Sequence, residues 1–275
     1  QEGAPGETDK NALSEKPAGT VLALAVLLVP AVAVTVAADE LTPVGTHVVP
    51  LLVKDVSGGS TPISANIEHD NTPWVLPDGR VLYMRWEYVD RSRVRFHHLW
   101  TSNPDGTGAM IYFGNMHGGT VMLDAKPIPG SYKVVSIFSP GHGRKEHAGQ
   151  LVVVDVDDGP DDRSMVRTIA PERNNYRDPY PLSEDLFLVA EDNRLLLIDG
   201  QGHTQEVYRT HEVAMLPHEP RPVRARPREP VIAPRVEPES SVGRLILSDV
   251  NQGRNMEGVG PGEIKKLLVL ETWSK

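Results

Sequence analysis

The sequence predicts an all-β chain of tandem four-stranded blades: a partial β-propeller of about three to four blades, followed by the start of a second β domain. Three observations carry this prediction. A unit of just over fifty residues recurs three times, and each copy holds short apolar runs closed by Gly and Pro turns. Between residues 70 and 210 no helical period is sustained.

The repeat is read from segments that share one internal order. The first copy runs NTPWVLPDGRVLYMRWEY (71–88) and FHHLWTSNPDGTGAMIYFG (96–114). The second runs AKPIPGSYKVVSIFS (125–139) and GQLVVVDVDDGPDDRSMVRTI (149–169). The third runs DPYPLSEDLFLVAED (178–192) and NRLLLIDGQGHTQEVYRT (193–210). Leu76, Ile128 and Leu182 align, at steps of 52 and 54 residues. A period of this length with several strands in it points to propeller blades. A β-sandwich also uses short strands, but the repeat weighs against it.

Within each copy the chemistry is that of strands. Val81, Tyr83 and Arg85 alternate with Leu82, Met84 and Trp86, while Leu151 to Val154 and Leu195 to Ile198 are continuous apolar runs, as expected of strands covered on both faces. Pro77-Asp78-Gly79 and Pro104-Asp105-Gly106 read as hairpin turns. Pro presets φ at the first central position, and Gly accepts the positive φ that a twisted hairpin requires.

The flanks read differently. Residues 1–44 form a leader, and within it positions 18–38 (AGTVLALAVLLVPAVAVTVAA) are uncharged and mostly apolar. This run is expected to be a signal-peptide core or membrane anchor, and the chain's one long helix. The residues before it carry four acids (Glu2, Glu7, Asp9, Glu15) against Lys10 and Lys16, the opposite of a positive signal-peptide flank. The expected compartment is nonetheless exported, either periplasmic or membrane-anchored. Blades are assigned to 45–215, with VVPLLVKDV (48–56) as the outer strand of a preceding incomplete blade. A closed ring takes about four to eight blades, so three are expected to leave open edges and to self-associate. Residues 216–241 read as a linker, since 217–240 holds seven prolines and five arginines and should be extended without its own core. RLILSDV (244–250) and KKLLVLE (265–271) then resume strand character, so 242–275 read as the opening of a middle β domain.

Charge and composition exclude several function classes. A net charge of −9 argues against nucleic acid as a partner, because phosphate binding needs a basic surface. Zero cysteines remove disulfides, thiolate metal sites, cysteine nucleophiles and covalent c-type haem attachment. G-x-S-x-G, P-loop and H-E-x-x-H patterns are all absent, so no catalytic residue is assigned. The candidate metal ligands are His117 in GNMHGG together with His142 and His147 of the HGRKEH loop, close in the repeat to His97 and His98. Neutral imidazoles are common ligands, and propeller loops gather at one mouth of a central channel. The acidic turn Asp155, Asp157, Asp158, Asp161 and Asp162 has Gly159 at its fifth position and lacks a closing glutamate, so it reads as a solvated hairpin end and not as a calcium loop. Arg85, Trp86 and Glu87 fit either a channel lining or a cross-strand pairing.

Two blocks carry a family resemblance. PWVLPDGRVLY (73–83) with LWTSNPDGT (99–107) resembles the repeat of the periplasmic Tol-system propeller protein and its relatives. NIEHDNTPWVLPDGRVLYMRWEYVDRS, GNMHGGTVMLDAKPIPGSYKVV, SPGHGRKEH, HEPRPVRARPREPVI and GRNMEGVGPGEIKKLLVLE resemble, more closely, proteins related to the hydrazine synthase alpha subunit, over residues 66 to 275. That resemblance implies an exported protein with a propeller, a middle domain and a cytochrome-like part that uses c-type haem. The chain departs from it at the haem, having no C-x-x-C-H. The expected function is therefore an exported propeller scaffold or interaction module, not catalytic by itself and with no resident cofactor. Its partner would be a protein or a downstream cytochrome-like domain. The alternatives are a fragment of a haem redox enzyme whose propeller loops shape the active site, and a propeller that binds a metal or small ligand.

Overall fold

The computed structural model describes residues 33–35, 52–54, 59–66, 68–88, 91, 94–141, 147–212, 215–247, 249–253 and 255–269. Among these the chain is all-β, apart from one 3-10 turn at Arg163–Met165. Strands β1 (Ala33–Thr35), β2 (Leu52–Lys54) and β3 (Ser60–Pro62) form a small antiparallel sheet. The apolar run at 18–38 otherwise lies outside the described residues, and its described part is strand β1, not the expected helix. Among the described residues no helix is long and apolar enough to cross a membrane.

Three four-stranded antiparallel meanders follow in chain order. The first comprises β4 (Asp70–Val75), β5 (Val81–Trp86), β6 (Phe96–Ser102) and β7 (Met110–Phe113). The second comprises β8 (Thr120–Pro127), β9 (Val134–Ser139), β10 (Gln150–Val154) and β11 (Val166–Ile169). The third comprises β12 (Tyr176–Ser183), β13 (Leu186–Glu191), β14 (Arg194–Asp199) and β15 (Thr204–Arg209). Each repeat copy is thus one meander. Parallel pairing of Phe96 with Thr120 and His97 with Val121 joins the first unit to the second, and a Gly149–Tyr176 bridge joins the second to the third.

The units stack face to face, and the pleat explains the apolar runs. Leu82, Leu99 and Phe113 of the first unit pack with Met122, Val134, Val152 and Val154 of the second. Val135, Ile137, Leu151 and Val153 of the second pack with Tyr176, Phe187, Val189, Leu196 and Ile198 of the third. Chain neighbours such as Val134 and Val135, or Leu151 and Val152, therefore enter different layers, because successive side chains point to opposite faces. Each such fully buried side chain stabilises the fold by roughly 1.5–3 kcal/mol. On the far side of the first unit, Val81 and Tyr83 meet Ile63 and half-buried Trp100. At the other end of the stack β15 is exposed along its whole length.

The proline-rich segment is extended and without regular structure, as expected, but it does more than connect. The Thr210 hydroxyl, at the end of the third unit, donates to the Met215 carbonyl at 2.7 Å. The segment then returns to the first unit. Gly79, at φ +90°, has the Pro230 carbonyl oxygen 2.4 Å from where a Cβ would lie, so both backbone angle and space demand glycine. Farther on, the Asp105 carboxylate accepts from the Arg235 N–H at 2.5 Å and the Val236 N–H at 3.2 Å. Residues 215–236 are a strap from the third unit to the first.

Candidate functional site

The first strand of every unit carries the same irregularity. Pairing slips between Asn71 and Trp74 in β4, between Leu123 and Lys126 in β8, and between Arg177 and Tyr180 in β12. At the slips Thr72, Asp124 and Asp178 take left-handed φ values of 49°, 53° and 49°. Each lies four residues before its aligned residue Leu76, Ile128 or Leu182. The strap repeats the pattern, since Glu219 has φ 47° and precedes Pro220 as Thr72 precedes Pro73 and Asp178 precedes Pro179. A left-handed residue other than glycine costs about 1–2 kcal/mol, so four at one repeat position mark a feature imposed by the surrounding structure.

These positions converge. One carboxylate oxygen from each of Asp124, Asp178 and Glu219 lies within 4.8 Å of the other two, and the Asp124 N–H donates to the Thr72 hydroxyl at 3.2 Å. Asp124 and Asp178 are buried. Cations already surround the group. Lys126, itself buried, sits 3.4 Å from Glu219, and Arg221 reaches the same carboxylate at 2.8 Å. His218 donates from Nδ1 to Asp178 at 2.9 Å and accepts from Arg177 at 3.4 Å. Burial pushes the Asp124 carboxyl up to about 6; the Asp178 and Glu219 charges add to this, and Lys126 opposes it. Burial works the same way on Glu219, but Lys126 and Arg221 outweigh it and hold that carboxyl below its usual value. Among the described residues this is the one group of His, Asp and Glu side chains close enough to share a metal ion. Its charges are largely balanced by the protein's own cations.

Two residues farther along each copy stand Trp74, Lys126, Tyr180 and Arg221, and they meet as well. Tyr180 sets its edge against Trp74 with ring centroids 6.3 Å apart. Lys126 Nζ lies 5.3 Å and the Arg221 guanidinium carbon 4.7 Å from the same ring. This layer borders a cavity of about 360 Å³ whose wall includes Trp74, Lys126, Tyr180, Arg224, Arg226 and Arg228.

Of the histidines named from the sequence, His117 is placed apart from this point, whereas His147 lies near enough to Asp124 for its charge to lower that carboxyl. His117 donates from Nε2 to the Asp161 carbonyl at 2.5 Å, and its own carbonyl accepts from buried His98 at 2.9 Å. His147 lines a second cavity of about 190 Å³ with His69, Trp86 and His97. His142 lies outside the described residues. The acidic turn is engaged with backbone groups: Asp161 accepts from the Met116 N–H, and Asp162 caps the 3-10 turn through Ser164. Arg85 and Trp86 are used in cross-strand pairing, Arg85 lying 4.8 Å over the Trp100 ring and Trp86 stacking on His97 at 5.1 Å. Sequence reasoning missed Asp124, Asp178 and Glu219, although Asp124 and Asp178 both stand four residues before an aligned apolar position, Ile128 and Leu182.

No protein-family model matches the chain, and no curated protein matches it. Among solved structures the chain is similar to Kuenenia stuttgartiensis hydrazine synthase, with TM-score 0.48 and 23% identity over 55% of this chain and 21% of that one. It is also similar to the tricorn protease, with TM-score 0.25 and 11% identity over 60% of this chain and 23% of that one. The chain spans less than a quarter of the length of either protein.

Proposed function

We propose that the chain is the stacked-blade part of a β-propeller that serves as a binding scaffold, with its working surface where the first strands meet. One observation carries the reading: Thr72, Asp124, Asp178 and Glu219, equivalent in the repeat, share one backbone conformation and gather at one place. Equivalent residues of a sandwich have no reason to meet, whereas the innermost strands of propeller blades surround a common channel.

The repeat also continues past the third unit at the level of sequence. His218-Glu219-Pro220 carries the first-strand pattern, GRLIL (243–247) matches GRVLY (79–83), and KLLVLE (266–271) matches QLVVVD (150–155) and RLLLID (194–199). On this reading residues 218–271 carry the sequence of three strands of a fourth blade, which among the described residues is not formed as a sheet. The motif GNMHGGTVMLDAKPIPGSYKVV, which holds Asp124 and Lys126 of β8, is among those resembling hydrazine synthase alpha subunit-related proteins. The chain is then an exported scaffold in such an assembly. Covalent c-type haem does not fit these 275 residues, which contain no cysteine.

The absence of cysteine makes the test simple. The T72C/D124C double variant has only two thiols, at positions where the Asp124 N–H already touches the Thr72 side chain. Mild oxidation should close an intramolecular disulfide, seen as faster migration on a non-reducing gel, with an unchanged far-UV spectrum. Failure to close, or closure only between chains, would remove the convergence and the propeller reading with it.

A further inference from the structure

We propose that the cavity bordered by Trp74 and Tyr180 binds a small organic anion, with a carboxylate or phosphate carried on an apolar or aromatic body. The proposal rests on the binding-scaffold reading above and assigns its working surface a ligand class. Charge is the first argument. The whole chain is acidic at −9, yet this cavity collects Lys126, Arg224, Arg226 and Arg228 against the single acid Glu229. Lys126 is occupied by Glu219, and Arg226 by Glu229. Arg224 and Arg228 have no ion-pair or hydrogen-bond partner among the described residues. Two guanidiniums with open donors on one concave wall match the planar, bidentate geometry of a carboxylate or phosphate.

Shape is the second argument. A volume of about 360 Å³ suits a small molecule and is too confined for a folded partner. Trp74, Tyr180 and the rings of Pro127 and Pro181 supply an apolar wall, which gains only if the ligand has a body to lay against it. Prolines also fix that wall in advance, so little ordering is lost when a ligand enters. An inorganic ion would satisfy the arginines and leave the aromatic half wet. Together these features select an aromatic acid or phosphate monoester over free phosphate.

Calorimetric titration of the full chain with phenyl phosphate, inorganic phosphate and benzylamine tests this. Phenyl phosphate should saturate one site, inorganic phosphate should bind at least about tenfold more weakly, and benzylamine should give no heat of binding. The R224A/R228A variant removes two exposed, unpartnered side chains, so it keeps the fold and should bind phenyl phosphate at least about tenfold more weakly. Undiminished affinity in that variant, equal binding of inorganic phosphate, or no saturable binding of phenyl phosphate would each overturn the proposal. A T72C/D124C crosslink that forms while phenyl phosphate fails to bind would sink the anion site alone and leave the scaffold reading standing.

Discussion

Replacing Asp124 with Asn isolates the buried acid where the strands converge. Aspartate titrates at 3.8 in its ordinary environment and at about 6 here, the rise coming first from burial. Between those values the folded protein keeps a proton that the unfolded chain has released. Stability from this group is therefore full below about pH 4 and is lost as pH rises toward about 6, after which it stays lost. A gap of roughly two pKa units corresponds to about 3 kcal/mol. Asn is close in shape, stays neutral, and tolerates a left-handed φ such as the 53° seen here. The stability difference, variant minus parent, should thus be near zero at about pH 4 and climb to at most about 3 kcal/mol in favour of the variant at about pH 7. Urea melts followed by tryptophan fluorescence at stepped pH give that difference directly. Asp70, with its carboxyl raised to about 6 by burial, and His98, lowered to about 4 by burial, titrate in the same window but are present in both proteins and cancel. A difference that is flat with pH, or that favours the parent at neutral pH, would show that Asp124 is solvated or fully paired.

Three further outcomes follow from the packing. Leu151→Ala empties a fully buried position between the second and third units and should cost about 2–4 kcal/mol in the same melts, as should Trp74→Ala, which strips the ring that Lys126, Tyr180 and Arg221 contact; a change under about 0.5 kcal/mol at Leu151 would disprove the stacking register. Gly79→Ala places a Cβ 2.4 Å from the Pro230 carbonyl oxygen at φ +90°, so the strap should lift and trypsin should cut faster after Arg224 and Arg228, Arg226 being protected by Pro227; unchanged cleavage would mean the strap is not seated on the first unit. Ile246 and Leu268 are 90% and 81% exposed, so the parent chain should self-associate and the I246D/L268D variant should have a lower light-scattering mass with an unaltered melt; a monomeric parent or an unchanged mass in the variant would refute this.

The meanders were legible in the sequence because every unit buries at least one face and the second unit buries both. A strand between two layers must be apolar at consecutive positions, as Leu151–Val154 are, whereas in the equally apolar run Leu195–Ile198 of the outermost unit only Leu196 and Ile198 are buried. Turn residues are equally local in origin, since Gly79 and Gly106 are demanded by a φ of +90° and +81°. The strap was legible only as composition. Seven prolines announce an extended segment, but nothing in them says that Pro230 will rest on Gly79 or that Asp105 will hold Arg235. Those contacts join residues more than a hundred positions apart, and a linear reading supplies no term for them.

The site was hidden for a different reason. Histidine draws notice because imidazole is a versatile ligand, so His117, His142 and His147 stood out by type. The structure gives His117 a hydrogen bond to the Asp161 carbonyl that helps fasten the second unit's acidic turn, a role that any well-placed donor could fill. Asp124 and Asp178, by contrast, are single acids within strands, and no metal-ligand or catalytic pattern surrounds them. What marks them is periodicity in three dimensions. A β-bulge in each unit, and a like left-handed kink in the strap, turn one residue toward the place where they meet, so side chains 52, 54 and 41 positions apart along 72, 124, 178 and 219 become neighbours. Two residues on, the same kinks give the next layer its mixture of Trp74, Lys126, Tyr180 and Arg221, in which two cations share one indole ring. In a repeat fold the residues that differ between copies at a conserved backbone position are therefore the ones that set the chemistry of the centre, and they are found by aligning backbone conformation before residue type.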